Sequence, residues 1–388
     1  MTKNEINTSF FKRHTVSSSE GRIDRIFLLL VLLVAAYGTL MVFTSGYAYA
    51  TVRYSDAAYF IKRQSIWLVI GLAVMVLASH IRTESIRAAS PYAYIVTLVL
   101  LVLTLVFGFV GNGAQRWISI GPITIQPSEI AKLTMILMMA RYYADNEKRA
   151  CEDKRNKTSF IFGTLIPFAI MLAPILLVML QKHLSCIIIL GVIGLMIIVM
   201  SGTSLKYLGI FTAIGALGVS YIAFFTDYTK DRITVWLDPE AYKLTGGWQT
   251  LQGLMAIGSG GFFGKGLGNG ELKYCYVSEP ANDMIFAILC EELGFIGAAL
   301  AILLFAALVI RGIRIAHRSV DTYSTLVTLG IITKIAVQTL LNIAVVTNTI
   351  PNTGISLPFF SYGGSSLVML FFEMGIILSA SRKASLQK

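Results

Sequence analysis

Charge is scarce in this sequence. Of its 388 residues only 14% are Asp, Glu, Lys or Arg, where soluble domains carry roughly 25%. Together with 55% hydrophobic residues and a mean hydropathy of +0.71, that excludes an ordinary soluble domain and indicates a multispanning membrane protein. Cysteine and histidine are thin as well, with four of each. Cys151, Cys186, Cys275 and Cys290 show no metal-ligand spacing, and only Cys275 falls in an external segment, so neither a disulfide nor a metal centre is expected. The histidines at 14, 80, 183 and 317 are scattered. No internal repeat is visible, which weakens a transporter built from inverted halves.

Apolar runs are what the chain has in abundance. Runs long enough to cross a hydrocarbon core of about 30 Å lie near 26–44, 65–81, 91–109, 160–180, 184–200, 207–225, 284–310, 323–348 and 357–380. A tenth, near 128–143, is interrupted by Glu129 and Lys132 but continues as LTMILMMARYY. With both termini in the cytoplasm, 20 basic residues fall inside and 10 outside, or 5 outside once the long 226–283 loop is omitted. Short loops carry the orientation signal, so this asymmetry supports an even number of spans. The expected fold is therefore an all-α polytopic membrane protein with ten transmembrane helices, both termini cytoplasmic, and one large extracytoplasmic loop before the eighth helix. The net charge of +11 is topological and gives no reason to expect a nucleic acid. The first apolar run is too long for a cleavable signal and reads as a signal anchor.

The expected partition is a polar cytoplasmic arm at 1–22, a single transmembrane domain at 23–380 and a cytoplasmic tail at 381–388. A mixed-charge cytoplasmic loop lies at 145–157. Two external segments are more than connectors: GNGAQRWISIGPITIQPSEIAK at 111–132, and the 226–283 loop, which carries seven acids and five bases and exceeds ordinary connection lengths. A third segment, IPNTGISLPFFSYGGSSL at 350–367, brings prolines and a Gly-Gly pair to membrane depth. Breakers there are tolerated where backbone lines a polar cavity.

Each candidate residue has a plain reading beside a functional one. Asp283 precedes the apolar MIFAILC, where it can cap a helix or, at the water edge of a low-dielectric cavity, act as a general base. Glu129 and Lys132 share a helix face and can pair with each other or serve a substrate, because intramembrane ions face bundle interiors or aqueous paths. Arg116, next to Trp117, is an interfacial anchor or a forked ligand for a diphosphate. Lys265 and Lys273 are solvated loop charges or phosphate contacts. The glycines at 258–268 lack the ending of a phosphate-binding Walker loop. Glu291 and Glu292 lie about 12 to 14 Å down the helix from Asp283, too deep to share a reacting centre with it, and read as buried structure or coupling. Lys334 and Glu373 fall at compatible depths in the last two helices and are expected to pair.

GAQRWISIGPITIQPSEIAK, GGWQTLQGLMAIGSGGFFGKGLG, the acid before IFAILCEELGFIG, and TGISLPFFSYGGSS resemble the SEDS proteins, which include FtsW, RodA and SpoVE. In order, spacing and frame the resemblance covers nearly the whole chain. It implies a peptidoglycan glycosyltransferase that polymerises lipid II with release of undecaprenyl diphosphate, at the extracytoplasmic face of the bacterial cytoplasmic membrane. Under the resemblance Asp283 is the base for the acceptor 4-hydroxyl, Arg116 and Lys132 stabilise the leaving diphosphate, and Glu129 orients Lys132. Lys265, Lys273, Ser361, Tyr362 and Ser365 are further substrate-binding candidates, with Pro358, Gly363 and Gly364 structural. No cofactor is required, although a divalent cation, Mg or Mn, is an option. A class B penicillin-binding protein and other divisome proteins are the implied partners, for septal or sporulation synthesis, since INIAVVTNTIPNTGISLPF and the RQSIW before the second span resemble FtsW and SpoVE more than RodA. Two departures stand out: Gln181-Lys182-His183-Leu184-Ser185 replaces the Gln-Pro-Asp-Leu-Gly of many relatives, and Ala281-Asn282-Asp283-Met284 replaces His-Thr-Asp-Phe. A lipid II flippase, or a scaffold with an idle site, is the alternative.

Overall fold

The computed structural model describes residues 21–111, 114–121, 123–151, 160–203, 209, 212–213, 215, 227–274, 276–277 and 279–384. In chain order come α1 (Arg25–Tyr54), α2 (Tyr59–His80), α3 (Thr83–Phe107), β1 (Phe109–Gly111), β2 (Ala114–Ile120), β3 (Ile123–Ile125), α4 (Pro127–Asp145) and the short α5 (Glu147–Cys151). A π-helical turn, Ile161–Leu165, then runs into α6 (Ile166–Leu180), followed by α7 (Leu184–Met200), α8 (Asp227–Leu237), α9 (Gly247–Gly260), α10 (Ile285–His317), α11 (Thr322–Val346) and α12 (Gly364–Ala384).

Among the described residues, seven helices are long and apolar enough to cross a membrane: α1, α2, α3, the Ile161–Leu180 segment, α10, α11 and α12. The chain is an integral membrane protein by that criterion. Helix α7 is apolar but shorter, and α4 carries Glu129 and Lys132 buried at its start. The expected span at 207–225 lies almost wholly outside the described residues, as do the N-terminal arm up to residue 20 and the tail from residue 385. The apolar run at 357–380 begins its helix only at Gly364, because Leu357–Tyr362 forms an irregular turn in which Phe359 takes a φ of 64° while buried.

The expectation of an all-helical chain needs one correction. Three strands between residues 109 and 125 form an antiparallel sheet in the order β1-β2-β3, with Phe109 opposite Trp117 and Ile118 opposite Ile125. Its alternating β-branched run ITI has no helical period, and Pro127 then opens α4 at the first helical turn, where the missing N–H costs nothing.

The large loop is also not a bare connector, since it contains α8 and α9. Helix α9 packs against α10, and α10 is kinked at Gly294, whose φ of 64° breaks the helical ladder. The backbone groups freed by the kink are taken up by the loop. The N–H groups of Phe295 and Ile296 donate to the carbonyls of Gly261 and Phe262, and the carbonyls of Glu291 and Glu292 accept from the N–H groups of Lys265 and Gly266. That exchange pairs four backbone groups beside the kink, as burial away from water favours. Gly260 makes the approach possible, because a Cβ there would sit 1.9 Å from the carbonyl oxygen of Cys290. Gly260→Ala is expected to lower stability by about 3 kcal/mol, the upper end of overpacking costs; a thermal-unfolding midpoint unchanged from wild type would contradict this packing.

Candidate active site

A cavity of about 480 Å³ opens among β2, the starts of α4, α7 and α12, the α6–α7 turn, the segment before α10, and the middle of α11. Asp283, Arg116, Lys132, Glu129, Tyr362, Gly363, Gly364 and Ser365 all line it, although they come from positions spread over 250 residues of sequence.

Asp283 sits immediately before α10, and its backbone is held from three directions. The carbonyl of Ala281 accepts from the Tyr362 N–H at 2.8 Å, that of Asn282 from the Ser361 hydroxyl at 2.8 Å, and that of Asp283 from Asn342 Nδ2 at 3.0 Å. Ser361 is therefore not on the cavity wall; its buried hydroxyl splices the 357–361 turn, where it accepts from Leu357 N, to the segment carrying the acid. Pro358 likewise belongs to that turn. No side-chain capping bond is made at the start of α10, so the helix-cap reading of Asp283 is not the one the structure shows. Burial pushes the Asp283 carboxyl up to about 6, reinforced by the neighbouring Glu279 carboxylate and opposed by the guanidinium groups of Arg232 and Arg116.

The cationic side of the cavity is built on β2 and α4. Arg116 donates one guanidinium nitrogen to the Lys182 carbonyl, while its buried Nε has no partner. Lys132 is 2% exposed, with its ammonium 2.6 Å from Glu129 Oε1 and 3.4 Å from Gln338 Oε1. Glu129, in the first turn of α4, also has the favourable end of the helix dipole beside it. A buried lysine of this kind is held by the carboxylate and the amide that share its shell.

Lys265 and Lys273, expected among the substrate contacts, do not line the cavity. Lys265 is 3.0 Å from Glu291, and Lys273, 1% exposed, is 2.6 Å from Glu292 and 2.6 Å from the Gly268 carbonyl. Glu291 also accepts the backbone N–H groups of Glu271 and Leu272. These pairs clamp the glycine-rich loop onto α10. Burial explains the change of role, since two acids inside a helix require two cations nearby.

Other residues reach the cavity without having been proposed as site residues from sequence: Arg63, Glu279 and Gln338, together with Asn282 and His183 of the two departing runs. His183 replaces the acid of the expected pattern, and burial beside Arg116 and Lys132 drives its imidazole down to about 3, leaving it neutral. A signal for one group was present. Lys334, Gln338 and Asn342 recur at four-residue spacing in an apolar span, which aligns them on one helix face. All three are buried: Lys334 pairs with Glu373 at 2.6 Å, Gln338 receives Lys132 and donates to Ser356, and Asn342 donates to the carbonyls of Asp283 and Ile355. Helix α11 is thus a polar ruler between the acid and the cations.

Among the described residues no three His, Cys, Asp or Glu side chains converge into a metal-holding group.

Comparison with known proteins gives a consistent picture. The family model for cell cycle proteins of the FtsW/RodA/SpoVE type matches residues 24–386. Stage V sporulation protein E of Bacillus subtilis is 38% identical over 361 residues, covering 92% of this chain and 97% of that protein. The probable peptidoglycan glycosyltransferase FtsW of Geobacter sulfurreducens is 33% identical, covering 93% and 96%, and the peptidoglycan glycosyltransferase MrdB of Escherichia coli K12 is 32% identical, covering 92% and 93%. Among solved structures, a chain of a peptidoglycan synthase complex superposes with a TM-score of 0.77 at 25% identity, covering 93% and 98%. RodA of Thermus thermophilus superposes with a TM-score of 0.68 at 23% identity, covering 93% and 97%, and shares the fold. This chain therefore belongs to the FtsW/RodA/SpoVE family of cell cycle proteins.

Proposed function

We propose that this chain is a peptidoglycan glycosyltransferase that polymerises lipid II, with Asp283 as general base and with Arg116 and Lys132 binding the diphosphate. The observation that carries the reading is the single cavity that joins a carboxyl of raised pKa to two cations. In the proposed step Asp283 takes the proton of the acceptor 4-hydroxyl as that oxygen bonds to the donor's anomeric carbon. The bond from that carbon to the diphosphate oxygen breaks, and the negative charge passes onto undecaprenyl diphosphate. Attack opposite the leaving group inverts an α linkage to β-1,4. A diphosphate leaves well once its charge is met, so preorganised cations supply the main stabilisation. The unpartnered Nε of Arg116 is a donor still available to that oxyanion.

Extracytoplasmic placement of the cavity, ten spans with cytoplasmic termini, and a class B penicillin-binding protein partner with further divisome proteins belong to the same reading. The basic-residue asymmetry supports the first two, and the likeness to a chain of a peptidoglycan synthase complex supports a crosslinking partner. The test is incubation of the purified protein with labelled lipid II, with and without such a partner, and gel separation of the products. Glycan ladders are expected; none under either condition would sink the polymerase in favour of a flippase or scaffold.

The raised Asp283 carboxyl fixes a pH dependence. A base works deprotonated, so activity is expected to fall as pH drops through about 6 and to be full above it. Glu279, whose charge pushes in that direction, also accepts Asn282 Nδ2 at 2.6 Å. Glu279→Gln is expected to move the acidic limb to lower pH; an unmoved limb would remove Glu279 from the electrostatics of the base.

A further inference from the structure

The cationic wall continues behind Lys132. Glu129 binds Lys132 through Oε1, and its Oε2 is 3.9 Å from the ammonium of Lys334, which is itself 2.6 Å from Oε1 of Glu373. Four charges of alternating sign thus run through α4, α11 and α12. Lys132 and Glu129 reach the cavity; Lys334 and Glu373, with side chains 1% and 0% exposed, do not.

A buried ion pair is weak support for stability, since apolar side chains of similar volume often do as well or better. Stability therefore does not account for Lys334 and Glu373. Their position relative to Glu129 does. One carboxylate between two ammonium groups fully neutralises neither. The excess on Lys334 is taken by Glu373, whereas Lys132 faces the cavity with only the long contact to Gln338 besides Glu129.

We propose that Lys334 and Glu373 are a positioning pair that holds Glu129 between two lysines and thereby sets how much Lys132 charge remains for a diphosphate in the cavity. This rests on the diphosphate reading of Lys132 above. It has a signature that packing alone lacks, because two variants move affinity in opposite directions. Lys334→Met with Glu373→Leu leaves Glu129 to Lys132 alone and weakens anion binding. Glu373→Gln leaves Lys334 leaning on Glu129, draws that carboxylate off Lys132 and strengthens binding.

The experiment measures binding of farnesyl diphosphate to the purified full chain, with farnesol as the control for the lipid tail. The paired variant is expected to bind the diphosphate about tenfold more weakly and Glu373→Gln about threefold more tightly, because Coulomb interactions among desolvated charges are strong. Farnesol binding should be unaltered, and the apolar pair keeps the fold intact so the comparison is made on folded protein. Affinities within about twofold of wild type in both variants, or shifts of the same sign, would overturn the proposal. Failure of the wild type to bind farnesyl diphosphate would overturn it too, while glycan ladders from the same preparation would show that the polymerase stands. Opposite shifts without ladders would support the pair and sink the polymerase.

Discussion

Asp283→Asn is expected to abolish glycan polymerisation, lowering turnover by about 10³-fold or more, within the range contributed by a positioned general base. That corresponds to about 4 kcal/mol of lost transition-state stabilisation. The substitution is nearly isosteric, and the contacts that fix residues 281–283 involve backbone carbonyls, which it leaves untouched. The variant should therefore insert and fold as the wild type does, and its thermal midpoint should not fall, because a partly desolvated carboxylate is replaced by a neutral amide. Glycan ladders at the wild-type rate from Asp283→Asn would remove the base from the mechanism. Measuring both variant and wild type above and below about pH 6 separates loss of the base from loss of the protein.

Lys132→Met should lower turnover by about 100-fold, in line with removal of one preorganised donor from a developing oxyanion. It should also cost about 3 to 5 kcal/mol of stability, because Glu129 loses its nearer partner in a buried setting. The two effects separate in a double variant. Lys132→Met with Glu129→Gln leaves no unpaired charge at that position, so stability should recover while turnover stays low. Recovery of turnover along with stability would mean that Lys132 serves only the fold. No recovery of stability would mean that Glu129 serves the fold through a partner besides Lys132, as its approach to Lys334 allows.

Membrane class was legible from composition, and most spans from run length, because an apolar stretch long enough to cross a bilayer is specified by its own residues. Where the runs misled, the cause was local chemistry that hydropathy does not weigh. Leu357–Tyr362 is apolar enough to extend the last span, yet its backbone turns and Ser361 ties it to the Asp283 segment. The ITI strand at 123–125 was hidden between Pro122 and Pro127, since so short a run has no period to read.

The candidate chemistry was partly legible. A carboxylate at the mouth of an apolar helix and a Glu-Lys pair at i and i+3 stand out because charge in such a sequence is rare. Lys265 and Lys273 stand out for the same reason, and the structure places them beside Glu291 and Glu292, off the cavity wall. Nothing in the loop sequence says that Glu291 and Glu292, twenty or so residues on, are the charges they neutralise. The turn of α10 at Gly294 makes this pairing possible by bringing the loop alongside.

What the sequence by itself determined was the solvent of the protein, its helical class, and which few ionisable residues had to be explained. What only the tertiary structure decided was which of those residues share a space: Asp283 with Arg116 and Lys132 in the cavity, Lys265 and Lys273 with the acids of α10, Lys334 and Glu373 behind Glu129. The division has a physical origin. Partition into a bilayer depends on the residues of one segment at a time, whereas the fate of a buried charge depends on its nearest opposite charge, and that neighbour comes from another helix.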